Sequence, residues 1–263
     1  MEQAVFVSKV ENLKYCDEDF SRLYFGMEFC ERLIPDAADL KKVISFVNEK
    51  KIDFTLVTPY VTEDGLERVE RLLGTLAEAK PGSEVVFNDW GMFQVMNDKY
   101  PELIPVLGRM LNKMKRGPRL LNVLDKIPLE SVTYYRSPSI TIPEIREFLL
   151  KKGIYRVEFD NLFQGIDLER CGDEIKKTLY MPFAYITTTR LCLTALCDRP
   201  DKVKEVGITP CGHECQRYTF YLKNPIMITN LIRKGNTIFF CNEEIPDNLR
   251  MFDRVVIEPE IPI

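Results

Sequence analysis

Four of the chain's eight cysteines, Cys192, Cys197, Cys211 and Cys215, fall within residues 187–218, together with its only histidine, His213. Thiols packed this closely can be metal ligands, a disulfide set or apolar core residues. Three residues separate Cys211 from Cys215, and Gly212 lets the backbone curl between them, so both sulfurs can face one ion or cluster. Cys192 and Cys197, four residues apart in the same sense, add two more. The spacing admits zinc held by some of these cysteines and His213, an iron–sulfur cluster completed by a distant thiolate, or ordinary buried cysteines.

Compartment weighs against disulfides. The opening stretch, MEQAVFVSKVENLKYCDEDF, has no basic segment followed by an apolar one, and no run approaches the roughly 20 apolar residues that a membrane helix needs. A cytoplasmic protein without a membrane span is expected, where thiols stay reduced and clustered cysteines more often bind metal than pair. Other chemistry is hard to find. The sequence contains no His-Glu-x-x-His, no Walker loop, no Gly-x-Gly-x-x-Gly, no Gly-x-Ser-x-Gly and no radical-SAM Cys-x3-Cys-x2-Cys. Any Ser–His or Cys–His pair would have to use His213, so peptidase activity is not expected and no catalytic residue is assigned. Acidic pairs such as Glu243-Glu244 read as surface charge. A net charge of -4 argues against a broad grip on nucleic acid, and the basic run Lys113, Lys115, Arg116 and Arg119 reads as a solvated loop.

The elements that must position these residues alternate between strand and helix. Residues 21–29, 52–60, 84–89, 104–111, 131–137, 155–161 and 178–188 read as strands. Asp36 should cap a helix with Leu40, Val43, Ile44 and Val47 on one face, and Thr62 one with Leu66, Val69, Leu72, Leu73 and Leu76 inward. A short helix runs through Trp90, Phe93 and Met96, and another is marked by Ile142, Ile145, Phe148 and Leu149. Such βα alternation predicts an α/β fold, a TIM-like (β/α) barrel with some helices missing. Residues 1–216 would form the barrel carrying the cysteines. Residues 217–263 would be a β-rich extension packed on it, with a hairpin turn at Arg233-Lys234-Gly235-Asn236.

Five short stretches occur in order over roughly residues 20–258: Tyr24-Phe25-Gly26, Asn88-Asp89-Trp90-Gly91, Arg156-Val157-Glu158-Phe159-Asp160, Thr189-Arg190-Leu191-Cys192 and the Gly235-Asn236-Thr237 hairpin. Together they resemble the collagenase-like peptidase family of unassigned mechanism (peptidase family U thirty-two), in particular its small UbiV-like branch. The family's four-cysteine pattern also fits: Cys30, then Cys192, eighteen residues, Cys211, three residues, Cys215. The resemblance implies a 4Fe–4S cluster on Cys30, Cys192, Cys211 and Cys215; zinc stays the alternative metal on spacing alone, with Cys197 and His213 as alternative ligands. Cys30 and Cys192 each follow a predicted strand, which puts both at the C-terminal mouth of a barrel, where such folds place their sites.

The same resemblance implies oxygen-independent hydroxylation, or a related redox modification, of a small molecule or an RNA nucleoside, with a related family subunit as heterodimeric partner. The interval from Cys192 to Cys211 is a little longer than in that branch, and residues 108–119 have no counterpart in it, so a ubiquinone precursor is not carried over as substrate. Asn88, Asp89, Arg136, Glu158 and Arg190 are candidates for a substrate cavity, with Arg136 and Arg190 able to clamp an anion. Internal salt bridges among these residues are the competing account. A non-catalytic metal-stapled scaffold or partner subunit is the alternative function. It would show a plugged mouth and an exposed apolar patch, whereas an enzyme would show an open polar cavity beside the cysteines.

Overall fold

The computed structural model describes residues 1–199, 201 and 211–263. Eight parallel strands close into a barrel: β1 (Glu2–Val7), β2 (Arg22–Gly26), β3 (Asp53–Val57), β4 (Glu84–Phe87), β5 (Ile104–Leu107), β6 (Arg156–Asp160), β7 (Lys176–Met181) and β12 (Arg254–Ile257). Strand β12 lies between β1 and β7, so the C-terminal segment completes the barrel. A second, antiparallel sheet has the order β8-β11-β10-β9, from β8 (Phe183–Thr188), β9 (Phe220–Leu222), β10 (Leu231–Lys234) and β11 (Thr237–Cys241).

The strand–cap–helix grammar recurs around the ring. The Asp36 carboxylate accepts from the Asp39 N–H at 2.8 Å and opens α1 (Ala37–Lys50), which buries Leu40, Val43, Ile44 and Val47. Thr62 caps α2 (Glu63–Ala79), and Asp89 caps α3 (Trp90–Lys99) by accepting from Gly91 and Met92. After β5 come α4 (Leu129–Arg136) and α5 (Pro143–Lys151). Among the described residues no α-helix follows β6 or β7, as a barrel with missing helices requires.

Three sequence expectations change. Residues 131–136 form part of α4, which Ser137 ends, and there is no strand here. Their β-branched and aromatic residues favour a pleated surface, but β5 pairs directly with β6, so the barrel leaves no ladder for them. A helix satisfies its own backbone, and only Val132 of α4 is buried. Residues 178–188 are two strands: β7 stays in the barrel while β8, beyond Pro182, turns into the small sheet. The division expected at 216/217 is crossed in both directions, because β8 belongs to the small sheet and β12 to the barrel.

The lumen is filled in layers. At the strand starts Arg254 bonds Glu2 and Glu84, Arg22 bonds Glu2 and Asp53, and Arg156 lies 3.5 Å from Glu84. The middle holds Ala4, Phe6, Tyr24, Val57, Val86, Val106, Tyr180 and Val256. The C-terminal end is closed by Arg109, wholly buried, which bonds Glu28 at 2.8 Å, Asp160 at 3.0 Å and Glu258 at 2.5 Å, while Arg116 pairs with Asp160. Three carboxylates face two guanidiniums there. Burial pushes the Glu258 carboxyl up to about 8, so it holds the proton that balances the group at neutral pH.

Candidate functional site

All eight cysteines are free thiols, and four of them meet. Cys30, Cys192, Cys211 and Cys215 line a single cavity of about 220 Å³ with Arg32, Tyr60, Arg190, Gly235 and Asn236 among its other walls. They arrive from three parts of the chain: the loop after β2, the segment after β8, and the turn into the small sheet. Cys197 and His213 do not line this cavity. His213 is exposed and takes a left-handed backbone (φ 58°) just before the 3-10 turn Glu214–Gln216. Cys16 and Cys171 are buried elsewhere.

The β10–β11 hairpin gathers these segments. Gly235 turns at φ 59°, and a Cβ there would come within 3.4 Å of the Cys215 Cβ and 3.3 Å of Ile263, so the bare backbone lets the hairpin press against the cysteine turn. Thr194, two residues past Cys192, donates its hydroxyl to the Gly235 carbonyl at 2.9 Å. The Asn236 amide donates to the Phe29 carbonyl beside Cys30 at 2.7 Å, to the Thr189 carbonyl at 2.8 Å and to the Tyr60 hydroxyl at 3.3 Å. By sequence Asn236 is a hairpin residue; its role as a tie shows only once the segments are together.

The sulfur environments fit soft-metal ligation. Burial pushes the Cys30 thiol up to about 11, with Cys215, Cys192 and Cys211 adding to the rise and the Arg32 N–H opposing it. Burial likewise raises Cys192 and Cys215. The Thr194 and Ala195 N–H groups point donors at the Cys192 sulfur, and the Gln216 amide donates to Cys215 at 3.5 Å. Without a cation such thiols stay protonated; a bound metal would supply the charge that turns them into thiolates, and the N–H donors would then stabilise them. Among the described residues, no three His, Cys, Asp or Glu side chains are grouped as a single metal ion would need them.

The other candidates separate. Arg190 lines the cysteine cavity and also a neighbouring one of about 430 Å³, where Asn88 lies too. The two cavities share Tyr60 and Arg190, whose guanidinium stands 5.7 Å from the Tyr60 ring centroid and donates to the Val61 carbonyl. Asn88 is buried, donating to the Thr58 carbonyl and accepting from the Met110 N–H. Asp89 is spent on capping α3. Arg136 lines a different cavity with Asn161, Gln164 and Asn248, so it cannot join Arg190 in one clamp. Glu158 is sealed inside the lumen, where Tyr24 donates to it at 3.1 Å and burial pushes it up to about 7. The basic run is not simply solvated: Arg116 is buried, and it lines the second cavity with Lys113. Trp90 packs on Phe87, Phe93 and Phe148.

Fold and site together define a parallel (β/α) barrel with a four-cysteine cavity beside its C-terminal mouth. No protein-family model and no curated protein matches the chain. Among solved structures it is similar to the U32 peptidase Mk0906, at 11% identity and a TM-score of 0.48 over 100% of this chain and 94% of that one. It is also similar to a D-tagatose 3-epimerase-like protein, at 14% identity and a TM-score of 0.30 over 69% of this chain and 65% of that one. The first belongs by name to the family that the sequence resembles; the UbiV-like branch has no counterpart among these matches.

Proposed function

We propose that this chain is an iron–sulfur protein in which Cys30, Cys192, Cys211 and Cys215 hold a 4Fe–4S cluster, and that it takes part in an oxygen-independent redox modification of a small molecule or an RNA nucleoside. The convergence of four free thiols from three chain segments on one cavity carries the reading. When bound, such a cluster supplies electrons one at a time. The protein's own part is to gather the ligands around one hollow, to hold them partly out of water, and to set a second cavity directly against the first across Tyr60 and Arg190. That adjacency supports a redox role over a mere staple. Peptide hydrolysis gains nothing from the geometry, since His213 lies outside both cavities.

A metal-stapled scaffold or partner subunit is the second reading, supported by a specific feature. The lumen is plugged by the Arg109 network, and Tyr218, Phe220, Tyr221, Ile226 and Ile228 are exposed on and beside β9, the edge of the small sheet.

Iron content of variants tests the ligand set. Cys30→Ala, Cys192→Ala, Cys211→Ala and Cys215→Ala should each lose most of the iron, while Cys197→Ala and His213→Ala should keep it. Retention of full iron by Cys30→Ala would sink the proposal.

A further inference from the structure

The 430 Å³ cavity next to the cysteines has an unusual charge balance. Lys113, Arg116 and Arg190 line it, and no carboxylate does among the described residues. Arg116 is neutralised from behind by Asp160. Lys113 and Arg190 have no ion-pair partner among the described residues: the Lys113 ammonium donates to the Met110 carbonyl at 2.6 Å, and Arg190 to the Val61 carbonyl at 3.0 Å. Partial burial and the nearby Arg116 charge hold the Lys113 ammonium below its ordinary value, although the side chain still reaches solvent. The remaining walls are of two kinds. Thr187, Thr188 and Thr189 add hydroxyls, while Met110, Met114 and the buried Tyr185 ring offer an apolar floor.

We infer that this cavity binds a small organic anion, with its acid group set between Lys113 and Arg190 and its apolar body against Tyr185 and the two methionines. Two cations without carboxylate partners attract a carboxylate or a phosphate alike, and hydrogen bonds to ionised groups are the stronger ones in a partly dry pocket. The adjoining aromatic and thioether surface sets the other requirement, since an inorganic anion would leave it unused. Arg190 is shared with the cysteine cavity, so the anion would lie against the wall that separates the two. As a substrate assignment this rests on the proposal above; as a binding site it does not.

Isothermal titration calorimetry on the full-length, iron-free protein tests it, with benzoate, phenyl phosphate and uncharged benzamide as probes. At least one of the two anions should bind, in a salt-sensitive way, and benzamide about tenfold or more weaker, a difference of about 1.4 kcal/mol. Binding by benzoate alone would identify a carboxylate ligand, and binding by phenyl phosphate alone a phosphate one. Lys113→Met and Arg190→Gln, both at exposed positions, should each weaken the anion about tenfold with the melting temperature unchanged. Benzamide binding as well as the anions, no effect of either substitution, or no binding by either anion would each overturn the inference. Because the protein carries no iron in this test, its failure leaves the cluster proposal standing, and failure of the cluster proposal leaves this one standing.

Discussion

Asn236 ties together more of the site than any cysteine does. Its amide holds the Phe29 and Thr189 carbonyls, one beside Cys30 and the other near Cys192. Asn236→Ala leaves both carbonyls short of a donor, and we expect a loss of about 1–3 kcal/mol in stability together with faster stripping of iron by a chelator. Unchanged melting and unchanged stripping would show that the tie is idle. Buried glutamates give a pH signature in the iron-free protein. Burial alone would raise Glu84, but Arg254, Arg22 and Arg156 outweigh it and hold it at about 2, so its contribution is present above its unfolded value near 4.5 and fades as pH falls towards 2. Glu158 runs the other way: burial lifts it to about 7, so between 4.5 and 7 the folded state holds more protons than the unfolded one and stability declines as pH rises. Melting temperature should therefore peak near pH 5. Glu258, lifted by burial to about 8, adds to the same decline, so Glu158→Gln should make it shallower without abolishing it, and an equally steep decline in that variant would refute the assignment.

Caps and periodicity were readable at the level of elements because they are local. Asp36 and Thr62 stand where polar oxygen must meet the first helical N–H groups, and the apolar spacing behind them allows one buried face. What was not readable depends on partners distant in sequence. Residues 131–137 have strand-forming side chains but no strand to pair with. β1 is not legible in the sequence because EQAVFV is short, and its meaning lies in pairing with β12 some 250 residues on, as Glu2↔Arg254 shows. The proposed cysteine ligands are legible from spacing and family resemblance, and Arg190 from its place after a strand; that Lys113 and Arg116 join Arg190 is not, since they sit on a loop that only the closed barrel brings to it. Asp89 illustrates the same limit, a cavity candidate by sequence that the fold uses as a cap. Asp89→Ala should cost about 1 kcal/mol in thermal unfolding and leave benzoate affinity and iron content as they were. A drop in either would return Asp89 to the site.

For the whole molecule, the consequential feature is that the chain's last strand closes the barrel. Without β12, β1 and β7 would each expose an unpaired edge, and the largely buried Glu84 carboxylate would lose Arg254, its nearest cation. Removal of residues 254–263 should therefore give aggregated protein rather than a smaller folded barrel, as size-exclusion chromatography would report. A soluble, cooperatively melting monomer would mean that the barrel tolerates a gap. No helix among the described residues is long and apolar enough to cross a membrane. Closure also delivers Ile263 to the wall beside Gly235 and Cys215, so the cysteine cavity depends on the complete fold. The most direct test of that cavity's purpose is to purify the protein without oxygen and measure iron, acid-labile sulfide and zinc together with its visible and EPR spectra. The account predicts a brown protein with iron and sulfide in equal amounts, near four of each per chain, and a paramagnetic signal on reduction. A colourless protein carrying one zinc would contradict it.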